Sequence, residues 1–207
     1  MEFKNRLDAA EKLLTLIKKE ELIGDLILVS LLRGGTIIGD YLATKLKVKH
    51  LPLASIKIPA PFNPELAIGA ICFEVTHIEE KIIRMLNLSN SQISKQVKEA
   101  EKKFINYCTR FNVEEKKFDI LSGKTVVITD DGAATGSTLL AAVDFIKTKN
   151  PQKIIIALPV APTSFEVEGV YKSIIIYKDL TLSAISQHYR NFPQVEDNEI
   201  KNLKSLK

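Results

Sequence analysis

The sequence predicts an α/β fold in which a mostly parallel sheet is flanked by helices. Two observations carry that expectation. Residues 26–29, 126–128, 154–158 and 174–177 are short, unbroken apolar runs. Such runs suit strands that a parallel sheet buries on both faces. Between them lie stretches with apolar residues at helical spacing, so strand and helix alternate along the chain. At 207 residues, 45% hydrophobic and 26% charged, the chain is sized for one domain with a full core.

The elements follow in order. Phe3, Leu7, Ala10, Leu14 and Ile17 predict an amphipathic helix over 3–19, which Gly24-Asp25 would end. The strand at 26–29 leads into Ser30-Leu31-Leu32-Arg33-Gly34-Gly35-Thr36, and then a helix over 37–46. Residues 51–58 form the next expected strand, with Pro52 at its entry or on a sheet edge. Pro59, Pro61 and Pro64 predict a break, followed by an extended segment over 66–75. Residues 76–118 are expected as a lid or insertion. They contain a long polar helix, 91–110, capped near Ser89-Asn90 and striped by Ile93, Val97, Ala100, Phe104 and Tyr107.

The central strand comes next, then a helix over 136–148 and a break at Asn150-Pro151. After the strand at 154–158, Pro159-Val160-Ala161-Pro162-Thr163 is expected as a loop, with a short helix through Phe165. Residues 178–207 form a C-terminal hood or tail, ending in a charged helix over 196–207.

Bulk properties exclude several classes. No apolar run is long enough to cross a bilayer, and Met1-Glu2-Phe3-Lys4 lacks the apolar core of a secretory signal. A cytoplasmic protein with no membrane partner is expected. Cys72 and Cys108 are too few for a disulfide framework and are expected reduced. His50, His77 and His188 are too scattered for a zinc site. A net charge of +4 suits a polyanionic small molecule and is too mild to argue for nucleic acid. Exposed apolar strands would support a homodimer.

Chemistry concentrates at Lys124-Thr125-Val126-Val127-Ile128-Thr129-Asp130-Asp131-Gly132-Ala133-Ala134-Thr135-Gly136-Ser137-Thr138. A buried strand ends in two carboxylates, a loop of small residues follows, and a helix begins. Backbone amides and a positive helix end suit a phosphate there, with Thr135, Ser137 and Thr138 adding hydroxyls. The carboxylates call for sugar hydroxyls or a divalent cation. A helix N-terminus capped by Ser or Thr would explain the small residues but not the Asp pair. No Lys follows Gly136, so the loop is not a Walker A motif. A second strand–turn–helix unit carries Arg33, which can fork onto phosphate oxygens, and Gly34-Gly35, which let the backbone come close to a ligand or adopt φ > 0.

The run from Val126 to Thr138 resembles the phosphoribosyl diphosphate (PRPP) motif of type I phosphoribosyltransferases, except that Thr129 stands at a usually apolar place. Leu31-Leu32-Arg33-Gly34-Gly35 is similar to that family's pyrophosphate loop, which often carries a cis peptide, here falling at Leu32-Arg33. Asn63-Pro64-Glu65-Leu66-Ala67-Ile68-Gly69-Ala70 and the tail from Tyr189 to Val195 resemble an uncharacterised predicted subgroup of the same family.

The resemblance implies a magnesium-dependent transferase of nucleotide metabolism. It would move a phosphoribosyl group from PRPP to a nitrogenous, base-like acceptor and release pyrophosphate. Ala133, Ala134, Thr135, Gly136, Ser137 and Thr138 would hold the 5′-phosphate, with Gly132 part of the same PRPP-binding loop. Asp130 and Asp131 would hold the ribose hydroxyls, directly or through Mg²⁺. Arg33, Gly34 and Gly35 would take the pyrophosphate. Lys57 is a candidate second pyrophosphate contact or a solvated lysine. Glu65 or Glu74 could orient the acceptor, or each is a solvated surface group. Tyr189 or Phe192 could stack on a planar base, or simply pack the tail on the core. The alternative is a regulator that senses PRPP or a nucleotide without turnover, since fold does not fix function.

Overall fold

A computed structural model describes residues 2–20 and 25–204. Gly24, half of the expected helix stop, lies outside these residues, as do 205–207 of the expected terminal helix. The first helix, α1 (Arg6–Lys19), starts at Asn5, whose side-chain oxygen accepts from the Asp8 amide at 3.0 Å. It begins later than the apolar spacing implies because Phe3 is drawn into a parallel bridge with Tyr189.

Strand β1 (Leu26–Leu31), helix α2 (Gly34–Leu46) and strand β2 (Lys49–Leu53) follow. The expected strand at 51–58 is in fact two. It breaks at Ala54-Ser55, where the buried Ser55 hydroxyl donates to the Thr138 and Ile71 carbonyls at 2.9 and 3.3 Å. The second half, β3 (Ile56–Ala60), pairs antiparallel with β4 (Asn63–Cys72), which pairs with β5 (Val75–Ile78). Of the three prolines only Pro61 ends a strand, in the turn between β3 and β4. Pro59 lies in an edge strand at a register shift, and Pro64 lies in the first turn-proximal stretch of β4.

The expected insertion packs as a layer. It contains α3 (Glu80–Met85), α4 (Asn90–Phe111) and a 3-10 helix over Glu115–Leu121. Ser89 and Gln92 close a reciprocal capping box at the start of α4. Ala100, Phe104 and Phe118 are buried, and Phe73 meets the rings of Phe104, Phe118 and Phe145 with centroids 5.2, 5.9 and 4.7 Å away.

Strand β6 (Thr125–Thr129), helix α5 (Ser137–Thr148), β7 (Lys153–Pro162) and β8 (Lys172–Asp179) complete the main sheet. Its order is β2-β1-β6-β7-β8, every neighbour parallel. The expected loop at 159–163 is strand up to Pro162, and a turn rather than a helix precedes Phe165. Beyond Ala157, β7 pairs only with β8, and Pro159 is the one position between Ile155 and Pro162 with no partner in that pairing. A 3-10 turn over Ile185–His188 and a short α6 (Asp197–Lys201) make the tail.

Strand alternation divides the core. Ile27, Val29, Val126, Ile128, Ile154 and Ile156 face α5 and the small sheet. Leu28, Val127, Ile155 and Ala157 face α1 and α2. No described helix is long and apolar enough to cross a membrane. Cys72 and Cys108 are free thiols, and burial raises both, Cys108 to about 11.

Candidate active site

Strands β1 and β6 are neighbours, with Ser30 opposite Thr129. From β1 the chain turns outward to β2; from β6 it continues the other way to β7. The ends of β1 and β6 therefore flank the point where strand order reverses, where parallel sheets open a crevice. The two sequence motifs occupy those two ends. The Leu32-Arg33 peptide is cis.

Close approach, not a positive φ, is the reason for the glycine pair. Gly34 and Gly35 start α2 and carry no positive φ. A Cβ on Gly34 would lie 1.8 Å from Asp131 Oδ2, and one on Gly35 2.6 Å from Asp130 Oδ1. The bare backbone admits the two carboxylates to the positive end of α2.

Asp131 is buried and accepts from Arg6 Nε at 2.8 Å. Arg6 is itself buried: its Nη1 donates to the Pro193 carbonyl at 2.8 Å, and its guanidinium lies 3.7 Å from the Phe192 ring centre. Tyr189 donates its hydroxyl to the Asp131 carbonyl at 2.7 Å. Asp130 Oδ1 accepts the Asp131 amide at 2.8 Å. Burial, and after it the Asp131 charge, push the Asp130 carboxyl well above the usual carboxylate range. Burial also raises Asp131, and the Arg6 guanidinium pulls against it.

Arg6 was not among the sequence candidates. Its signal was there: it falls on the apolar stripe of α1 with Ala10, Leu13 and Ile17. A cation in a helix's first turn also opposes the helix dipole, so it needs another partner.

The loop 132–138 is bound on several sides. Gly136 caps α5 at φ +81°, backbone that side-chain-bearing residues avoid. The Ala133 amide donates to the Val160 carbonyl at 3.0 Å, so the extended end of β7 supports the loop. The Ser137 hydroxyl donates to Glu79 Oε1 at 2.8 Å and lies 3.2 Å from Thr135 Oγ1. Thr135 is exposed, and Ala134 and Thr138 are half-buried.

The remaining candidates divide. Arg33 reaches Asp197 Oδ1 at 3.4 Å. Lys57 Nζ donates to the Glu65 carbonyl at 3.2 Å across the β3–β4 hairpin. Among the described residues, no hydrogen bond or ion pair ties Lys57, Glu65 or the exposed Glu74 to the Asp pair. Tyr189 is buried and stacked on Phe192 at 4.6 Å between centroids, with Phe3 on its other side at 5.2 Å. These rings support the Asp pair from beneath. No group of three or more His, Cys, Asp or Glu among the described residues could hold a metal alone. Two desolvated carboxylate groups with hard oxygen donors do fit a Mg²⁺ that shares its shell with a substrate's phosphates and water.

The family model for the phosphoribosyl transferase domain matches residues 3–178. Two Mycobacterium tuberculosis proteins, from strains CDC 1551 and H37Rv, are each 30% identical over 96% of the chain. Both carry the name phosphoribosyl transferase provisionally. The chain spans about half the length of these curated relatives, 45% of each. The crystal structure of TT1426 from Thermus thermophilus covers 98% of this chain and 97% of its own, with a TM-score of 0.71 at 22% identity. It shares the fold.

Proposed function

The chain belongs to the phosphoribosyl transferase family, and on that premise we propose that it transfers a phosphoribosyl group from PRPP to a nitrogenous, base-like acceptor, releasing pyrophosphate. The observation that carries this reading is the meeting of Asp130-Asp131 with the Gly34-Gly35 turn. Those glycines leave no room for a Cβ beside the carboxylates. A sheet crevice is thus built with a carboxylate pair between two anion-friendly helix ends.

In this reading Ala133 to Thr138 hold the 5′-phosphate at the start of α5. Asp130 and Asp131 accept from the ribose hydroxyls, and Arg33 meets the pyrophosphate. The C1–O bond breaks with its electron pair leaving on pyrophosphate, and the acceptor nitrogen's lone pair forms the new C1–N bond from the opposite face. Mg²⁺, when bound with PRPP, supplies positive charge against the pyrophosphate oxygens. The residues' own work is electrostatic: Arg33 meets the leaving charge, and the Asp pair sits near the positive charge that develops on ribose. A second reading, PRPP sensing without turnover, draws on the internal pairing of both key groups, Asp131 with Arg6 and Arg33 with Asp197.

The experiment is incubation with PRPP, Mg²⁺ and a panel of purine, pyrimidine and related acceptors, with pyrophosphate and nucleotide both measured. Stoichiometric product with one acceptor is expected; tight PRPP binding without product from any acceptor would favour sensing. Asp131→Asn should weaken PRPP binding or turnover at least about tenfold, roughly 1.4 kcal/mol. A folded Asp131→Asn protein with unchanged activity would sink the site assignment.

A further inference from the structure

Three elements far apart in sequence bring charge together over the end of β1. Arg33 at the start of α2 sends Nη1 to Asp197 Oδ1 at 3.4 Å. Arg110, in the last turn of α4, meets the other oxygen, Oδ2, through its Nε. One carboxylate therefore spans two guanidinium groups, one oxygen to each. Two cations and one anion leave a positive charge over. Burial raises the half-buried Tyr107 hydroxyl, and the charges of Arg33, Asp197, Arg110 and Asp130 all reach it.

The arrangement is a poor stabilising device. Arg110 is 57% exposed, and exposed pairs contribute little to stability. The Arg33 contact is also long compared with about 2.7–2.9 Å for a good charge-assisted bond. A phosphate group, with three oxygens and more charge, would suit two arginine forks better than one carboxylate. Asp197 sits between Val195 and Ile200, both buried, so the backbone of α6 is anchored while its acidic side chain can rotate away.

We propose that Arg33 and Arg110 form a two-guanidinium seat for a diphosphate anion, and that Asp197 is the internal counter-ion this anion displaces. The proposal rests on the phosphoribosyl reading and deepens it. Arg110 becomes a second substrate-binding cation, contributed by α4, and Asp197 sets how much of the seat is open before substrate arrives.

The test is calorimetric titration of the full chain with inorganic pyrophosphate, and separately with ribose 5-phosphate, both with Mg²⁺. Arg110→Ala should weaken pyrophosphate about tenfold or more while leaving ribose 5-phosphate unchanged. Asp197→Asn should tighten pyrophosphate about fivefold, because the competing charge no longer holds the seat closed. Arg84→Ala removes the same charge from an exposed pair with Glu80 and should change neither titration. The seat is overturned if Arg110→Ala stays within about twofold of the parent, if Asp197→Asn weakens binding, or if Arg84→Ala costs as much as Arg110→Ala. A parent protein that binds ribose 5-phosphate but not pyrophosphate also overturns it, and leaves the phosphoribosyl reading standing. Tight pyrophosphate binding without any use of PRPP would do the reverse.

Discussion

At the residue scale, the Asp pair stores a cost that a ligand would relieve. The folded Asp130 carboxyl keeps its proton to a higher pH than the unfolded chain does. Between those two values the folded state binds more protons, so stability falls as pH rises through the interval. Below the ordinary carboxyl range both states are protonated and the penalty vanishes. Asp130→Asn should therefore raise Tm by roughly 2–8 °C at neutral pH and by nothing near pH 3, while losing PRPP binding. Thermal melts across that pH range check the sign; a gain independent of pH would contradict it. Thr129 is a second locus. Its buried hydroxyl has no hydrogen-bond partner among the described residues. Thr129→Val, nearly the same shape, should stabilise by up to about 1 kcal/mol without changing turnover. Denaturant titration would read it, and a destabilised variant would show that the hydroxyl has a role. The motif residues were legible because their types, order and strand context recur together. The pairings were not, because Arg6 and Asp197 meet Asp131 and Arg33 only through tertiary approach: the stripe of α1 marks Arg6 as inward-facing but not what it meets.

At the element scale, most strands and helices follow from apolar periodicity, down to the Ser89 cap of α4. Proline's missing N–H predicts an end to regular structure at 59–64, and a loop is expected at 159–163, yet Pro59, Pro64, Pro159 and Pro162 all lie within strands and only Pro61, in the β3–β4 turn, ends one. Likewise, one apolar run covers both β2 and β3, since hydrophobic pattern does not reveal a change of sheet. The tail is the element whose role is easiest to undervalue. Tyr189 ties it to the backbone of Asp131 itself. Tyr189→Phe keeps the ring packing and removes only the donor, leaving a buried carbonyl unpaired. It should cost about 1–3 kcal/mol in denaturant unfolding, with an unchanged m-value. A neutral result would mean that the carbonyl finds another partner.

At the scale of the whole molecule, the two ends of the chain close on each other beneath the crevice. The Phe3 amide donates to the His188 carbonyl at 2.7 Å, and the Arg190 and Asn191 amides return to Phe3 and Lys4 at 2.8 and 3.1 Å. The same seam carries Arg6, its Phe192 lid and the Pro193 carbonyl to Asp131. A ligand that engages Asp131 therefore acts on a contact that both termini share. Ligand that binds only the folded state adds about 2.7 kcal/mol at one hundred times its Kd. Because the seam and the site hold one carboxylate in common, part of that gain should appear as slower opening of the seam. Amide hydrogen exchange at Phe3, Arg190 and Asn191 should slow when PRPP and Mg²⁺ are added, while the exposed helix α3, which has no buried residue, should exchange as before. In Arg6→Ala the crevice would still accept ligand, but the protection at the seam should fall away, because the link between site and termini runs through that guanidinium. Equal protection with and without Arg6 would mean that the termini are stabilised only through global unfolding, and that the seam and the site are neighbours without being coupled.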